Sequence, residues 1–235
     1  MLVLVGAQTL LSAAFLVGVA AAPEGRPVSA PVNLDAEANI PTWWSSVLLL
    51  GVSVSALAIW ASSKRTEDPG RSRWHWLVVG GGFLAMSMDE SAVLHERIGG
   101  WVGDHIDAVR DSGFFIWPVV FLPAMIVVGW AIVRTARDLD RPLASLALSG
   151  LPLLALAVIA EELSGGGAEL RSPVETLIEE NLEYAAIGLV LVAYSARAFA
   201  TLTVSIVRPA QDATQRLPAS SVGPETVGTV GTRRS

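Results

Sequence analysis

Apolar residues in this chain fall into long blocks, separated by short polar or small-residue breaks. A helix that crosses a bilayer needs about 20 mostly apolar residues. Six stretches reach or approach that length: roughly 1–22, 43–62, 74–95, 114–134, 143–161 and 180–206. The pattern predicts an all-α fold, an integral membrane bundle of six transmembrane helices over residues 1–206. After 207 the sequence turns polar, small and unperiodic, which predicts a disordered cytoplasmic tail over 207–235. The first stretch invites a second reading as a secretory signal, because "VAAAPEG" offers small residues for cleavage. No Lys or Arg precedes the run, however, and it is long for a signal core, so a retained helix is expected.

The loops between the blocks orient the bundle. Lys64, Arg65, Arg71 and Arg73 share one loop, and Arg134, Arg137 and Arg141 the next but one. The tail holds Arg208, Arg216, Arg233 and Arg234. The alternate loops hold only Arg26, Arg97, Arg110 and Arg171. Basic residues stay on the cytoplasmic side, so both termini are expected to be cytoplasmic. Arg197, inside the last helix, snorkels towards the same side. Tryptophans follow this register. Trp43, Trp44, Trp101 and Trp117 fall at outer ends, and Trp60, Trp74, Trp76 and Trp130 at inner ends. Indoles favour that headgroup zone, being apolar with one N–H donor.

Two loops carry local signals. Residues 101–112 place Val102, Ile106 and Val109 at helical spacing, which predicts a short helix on the outer surface. Ser172, Pro173 and Glu175 form a helix start: hydroxyl cap, proline at the first position, glutamate at the third. The last helix should therefore run from near 173 to about 206, longer than a hydrocarbon core requires.

Composition supports the same class. The chain is 52% hydrophobic and 16% charged, against roughly 25% charged in soluble domains. With no cysteine, disulfides, a thiolate nucleophile and zinc–thiolate sites are excluded. The net charge of −6 adds little. No basic patch suggests nucleic acid, so the lipid bilayer, in a bacterial-type plasma (inner) membrane, is the partner implied.

Against this oily background the acids stand out. The third block ends with Asp89, Glu90, His95 and Glu96; the fifth with Glu161 and Glu162; the sixth opens with Glu179, Glu180 and Glu183. All nine fall near the predicted outer boundary. A charged Asp at the centre of a span costs roughly 2.5 to 3.5 kcal/mol on insertion scales, and less near the interface. Neighbouring carboxylates also repel, and acids in the last turn of a helix oppose its dipole. A bound cation or a shared proton relieves these costs. On one continuous helix Asp89 and Glu96 share a stripe but stand about 10 Å apart along the axis, and Gly99 and Gly100 are expected to end that helix just after. The Glu-x-x-His spacing of di-iron bundles is absent, so a metal site must be assembled between helices. Oxygen ligands with one histidine suit a divalent ion: Zn, Fe, Mn, Mg or Ca.

Plainer readings exist for each group. Glu179 and Glu180 suit a wet first helical turn, and Glu161 and Glu162 can reach water beside a glycine loop. His95 suits an interfacial hydrogen bond, His75 the inner interface, and His105 the surface. Gly80, Gly81 and Gly82 allow close helix packing.

"MSMDESAVLHERIG", "EELSGG" and "IEENLEYAAIGLVL" together resemble a group of uncharacterised prokaryotic polytopic membrane proteins. That group carries an Asp-Glu-x4-His-Glu helix and later Glu-Glu helix ends. The resemblance covers roughly residues 74–206 and implies no particular activity. The chain is also loosely similar to membrane hydrolases that hold zinc with Asp and His, but those use several paired histidines and only His95 is well placed here. Three functions remain open. One is a divalent-metal-dependent membrane enzyme, with carboxylates and His95 as ligands and a spare carboxylate as base. Another is a cation- or proton-coupled transporter. The third is a structural or assembly protein without a catalytic site. The inner halves of the spans carry little ionisable chemistry, which counts against a conducting route.

Overall fold

A computed structural model describes residues 2–22, 30–34, 39–63, 73–105, 117–163 and 172–215. Among these, every regular element is helical and no strand occurs. The helices are α1 (Leu2–Ala21), α2 (Ile40–Ser63), α3 (Trp74–Ala92), α4 (Leu94–His105), α5 (Trp117–Ala136), α6 (Arg141–Leu163) and α7 (Pro173–Gln215), with a 3-10 turn at Ala30–Val32.

Local chemistry sets several ends. Ser172 Oγ accepts from the Glu175 N–H at 3.2 Å, and Glu175 Oε2 accepts from the Ser172 N–H at 3.0 Å. This reciprocal pair satisfies two donors of the first turn and starts α7 where the sequence places it. The helix then continues to Gln215, past the boundary expected at 207, and residues 216–235 lie outside the described set. Asn39 Oδ1 caps α2, accepting from the Thr42 N–H at 3.0 Å.

The end of α3 departs from expectation. Instead of running to 95, the helix stops at Ala92, and Val93 takes left-handed angles, φ 54° and ψ 42°. Its N–H still bonds Asp89 O at 2.7 Å. Only the reversed backbone separates α3 from α4, and the geometry of one shared stripe for Asp89 and Glu96 is lost. Gly99 and Gly100, expected to end a helix, lie within α4. Of the surface helix expected over 101–112, residues 101–105 belong to α4 and the rest fall outside the described residues.

Helix contacts close a ring. α2 packs between α3 and α7, α3 meets α5, α5 meets α6, and α6 runs along α7. Leu49, Val52, Val79, Ala193 and Tyr194 fill its centre. α1 sits outside the ring on α7, with Phe15 as its one buried residue. Small residues permit the close approaches. A Cβ on Gly80 would lie 2.6 Å from Leu57 Cγ, one on Gly82 2.4 Å from Val128 Cγ2, and one on Gly150 2.8 Å from the Ala186 carbonyl oxygen. Gly81 has no atom within 4 Å of such a Cβ, so of the glycine triplet the outer two make the packing. Serines bond α2 to α3: Ser53 Oγ donates to Gly80 O at 2.7 Å, Ser87 Oγ to Ser46 O at 2.9 Å, and Ser46 and Ser91 hydroxyls meet at 2.9 Å. Such bonds hold helices together where lipid removes the hydrophobic drive to associate.

Among the described residues four helices are long and apolar enough to cross a membrane: α1, α2, α6 over Arg141–Ala160, and α7 over Pro173–Thr203. Phe121–Ala136 of α5 is a shorter apolar helix. Exposed Leu2, Val3, Leu10, Val17 and Phe199 suit a hydrocarbon surrounding.

Candidate functional site

The start of α2, the last turns of α3 and the first turns of α7 meet at one end of the bundle. Glu90 on α3 accepts a hydrogen bond from Ser45 Oγ on α2, a serine that is itself buried. On α7, Glu180, Glu183 and Tyr184 lie within four residues, so Glu180 and Tyr184 share a face one turn apart. The Glu180 carboxyl is enclosed by protein and lies beside Glu183, Glu90 and Glu179, with a side-chain hydrogen bond to Tyr184. The residue as a whole keeps part of its surface. The Tyr184 hydroxyl also donates to the Pro41 carbonyl at 3.2 Å. Oxygen atoms from three helices thus surround one buried carboxyl.

Four of the nine residues singled out from the sequence come together here: Glu90, Glu180, Glu183 and Glu179. Asp89 is half-buried one position before Glu90. The side chains of His95 and Glu96 on α4, and of Glu161 and Glu162 on α6, lie outside the described residues. Among the described residues no group of three or more His, Asp or Glu side chains is close enough to hold a metal ion.

Residues 1–198 match the family described as "Domain of unknown function (DUF8692)". The chain belongs to that family. The DUF8692 match takes in the whole carboxylate cluster and α1–α6, and it ends within α7. No curated protein and no solved structure matches the chain.

This DUF8692 chain has a second polar cluster, at the opposite end of α3. His75 Nε2 lies 3.0 Å from Asp138 Oδ2, and the Trp76 indole N–H donates to the same oxygen at 3.2 Å. Trp76 packs edge-on against Tyr194, their ring centres 5.0 Å apart, and the Tyr194 hydroxyl bonds Thr135. His75, expected at the inner interface, is buried and anchors the turn between α5 and α6. Asp138, in "RDLD", gave no periodic signal that could single it out. A third group joins α1 to α7 through Gln8, Ser12 and Asn181. Gln8, the one amide in an otherwise oily run, was a readable signal, since amides inside spans bond across helices.

Proposed function

We propose that this protein is a six-span protein of the plasma (inner) membrane with cytoplasmic termini, and that its Glu90–Glu180–Glu183 cluster binds a cation, in its simplest form a proton, for cation- or proton-coupled transport. The basic loops and the two tryptophan belts support the topology. The enclosure of Glu180 among other carboxylates supports the site.

Counting protons sharpens this reading. Tyr184 has one hydroxyl proton and two acceptors facing it, Pro41 O and the Glu180 carboxyl. With a proton on Glu180, the hydroxyl donates to Pro41 O and accepts from the carboxyl. Carboxylates sharing one site relieve their repulsion in the same way. Glu90 has the Ser45 hydroxyl as donor and can remain the charged partner. The proton reading uses only contacts already described, whereas the divalent-metal enzyme needs ligands that do not gather among the described residues.

Infrared difference spectra of the purified protein test the site. The expected result is a protonated-carboxyl band that disappears in Glu180→Gln. A spectrum without that band, or one unchanged by the substitution, overturns the assignment. The absence of native cysteine makes the topology testable with single introduced cysteines and an impermeant maleimide. Labelling of positions 26 and 110 from outside, and of 64 and 137 only after permeabilisation, is expected.

A further inference from the structure

Two of the tryptophans expected at inner helix ends meet each other. Trp74, the first residue of α3, and Trp130, near the end of α5, have ring centres 5.1 Å apart and planes tilted by 31°. Neither ring is covered: Trp74 is 47% exposed and Trp130 44%. One turn further along α5, the Arg134 guanidinium lies over the Trp130 ring, 5.6 Å from its centre. Arg134 is exposed, and among the described residues no carboxylate pairs with it. Contact with a ring engages one face of a guanidinium and leaves the N–H donors around its edge open.

Those donors stand in a positive setting. Arg137 is exposed three residues after Arg134, and Arg73 directly precedes Trp74. The Asp138 carboxylate, in the turn after α5, faces His75 and the Trp76 indole instead. No side chain caps α3, so its first N–H groups, at the positive end of the helix, are met by no side chain. Away from the charges the same two helices present apolar surface. Leu77 lies one turn from Trp74 and Val127 one turn from Trp130, and both are exposed.

We propose that Arg134 and the Trp74–Trp130 pair bind the phosphate of an anionic phospholipid, whose acyl chains run along Leu77 and Val127. The edge of a guanidinium matches two phosphate oxygens at once. The indoles set the depth, because they settle in the headgroup zone. Charge then selects the head. A choline head would bring its own cation against Arg134, Arg137 and Arg73, whereas a head of net negative charge, such as that of phosphatidylglycerol, meets only attraction. Inorganic phosphate has nothing to lay on the apolar residues. Assignment to the cytoplasmic leaflet rests on the proposed topology; the binding itself does not, and it is independent of the cation reading.

The test uses the full-length protein in phosphatidylcholine nanodiscs with a trace of one of two photoreactive probes, phosphatidylglycerol or phosphatidylcholine, each with a diazirine in its acyl chain. A nanodisc offers both leaflets, so orientation does not enter, and maleimide labelling reads it separately. In the wild type the phosphatidylglycerol probe should label residues 74–84 and 123–134 about tenfold more than the phosphatidylcholine probe, the worth of one charge-assisted hydrogen bond. Arg134→Gln should bring the first probe down to the level of the second there, while labelling of α1 by both stays unchanged. A large excess of inorganic phosphate, at matched ionic strength, should leave the labelling in place. Equal labelling of the wild type by the two probes, a comparison that depends on no variant folding, would mark boundary lipid only and overturns the proposal. So does a preference that survives Arg134→Gln, or displacement by inorganic phosphate, which would make this a site for the free anion.

Discussion

Gly150 and Gly81 are both helical glycines, yet alanine should act on them with opposite sign. A Cβ on Gly150 would lie 2.8 Å from the Ala186 carbonyl oxygen and 2.8 Å from Val190 Cγ2. Carbon contacts are comfortable at about 3.5 to 4.0 Å. The carbonyl belongs to the α7 backbone and cannot swing aside. Val190 is β-branched and held near one rotamer in a helix. So α6 and α7 must part locally, along the contact that closes the ring. Overpacking of this kind costs about 1–3 kcal/mol, while alanine recovers about 1 kcal/mol of helix propensity over glycine. The net expectation for Gly150→Ala is a loss of up to about 2 kcal/mol. For Gly81→Ala, with no atom within 4 Å, only the propensity gain remains, about 1 kcal/mol. Equilibrium unfolding in mixed detergent micelles, followed by tryptophan fluorescence, measures both. The reasoning fails if the two variants shift in the same direction, or if Gly150→Ala is the more stable.

Three further substitutions probe other contacts by the same unfolding measurement. Asp138→Leu removes the acceptor shared by His75 and the Trp76 indole, leaving buried donors unmet. A loss of about 2–4 kcal/mol is expected, and about half that for Asp138→Asn, which keeps one acceptor oxygen; a neutral Asp138→Leu would refute the anchoring role. Val93→Gly should be neutral or stabilising by up to about 1 kcal/mol, because relief of the left-handed strain outweighs the extra freedom of glycine in the unfolded chain; a loss above about 1 kcal/mol would mean that Val93 is not left-handed. Tyr194→Phe and Thr135→Val, singly and together, should show a coupling of about 0.5–1.5 kcal/mol from their buried hydroxyl pair. Strict additivity would mean that the two hydroxyls do not interact.

What could be read from the sequence followed the range of the forces involved. The start of α7 was legible because Ser172 and Glu175 cap a helix through contacts three residues apart. Apolar runs long enough to span a membrane were legible because length alone decides them, as α1, α2, α6 and α7 bear out. The break at Val93 was hidden, since a β-branched residue is among the least suited to left-handed angles. Gly99 and Gly100 looked the better stop, yet both are helical. The meeting of Glu90 with Glu180 and Glu183 was legible only as a shared depth. That Ser45 and Tyr184 complete it depends on how α2 packs between α3 and α7, which periodicity does not encode. The His75–Asp138 contact spans 63 residues and joins a helix start to a turn, so no local pattern announces it.

The two polar clusters share helices but do not form a wire. Residues 75 and 90 of α3 are separated by about 22 Å along a helix rising about 1.5 Å per residue, and 180 and 194 of α7 by about 21 Å. Between them the core is apolar: Val79, Phe83, Ile187 and Val190 are all buried. The serines of α2 and α3 do not bridge the gap, because Ser53 and Ser87 spend their protons on backbone carbonyls. A cation held at Glu90 and Glu180 therefore cannot reach Asp138 by hopping through the packed bundle. If the cluster serves transport, helices must move, and the contacts that resist movement identify where. α3 is tied to α2 by four serine bonds and by Gly80 against Leu57, but it meets α5 through the close seat of Gly82 on Val128. A two-methyl valine seated against a bare glycine can slide more easily than a hydrogen-bonded seam can shear. The α3–α5 boundary is thus the expected line of opening, with α2 and α3 moving as one body.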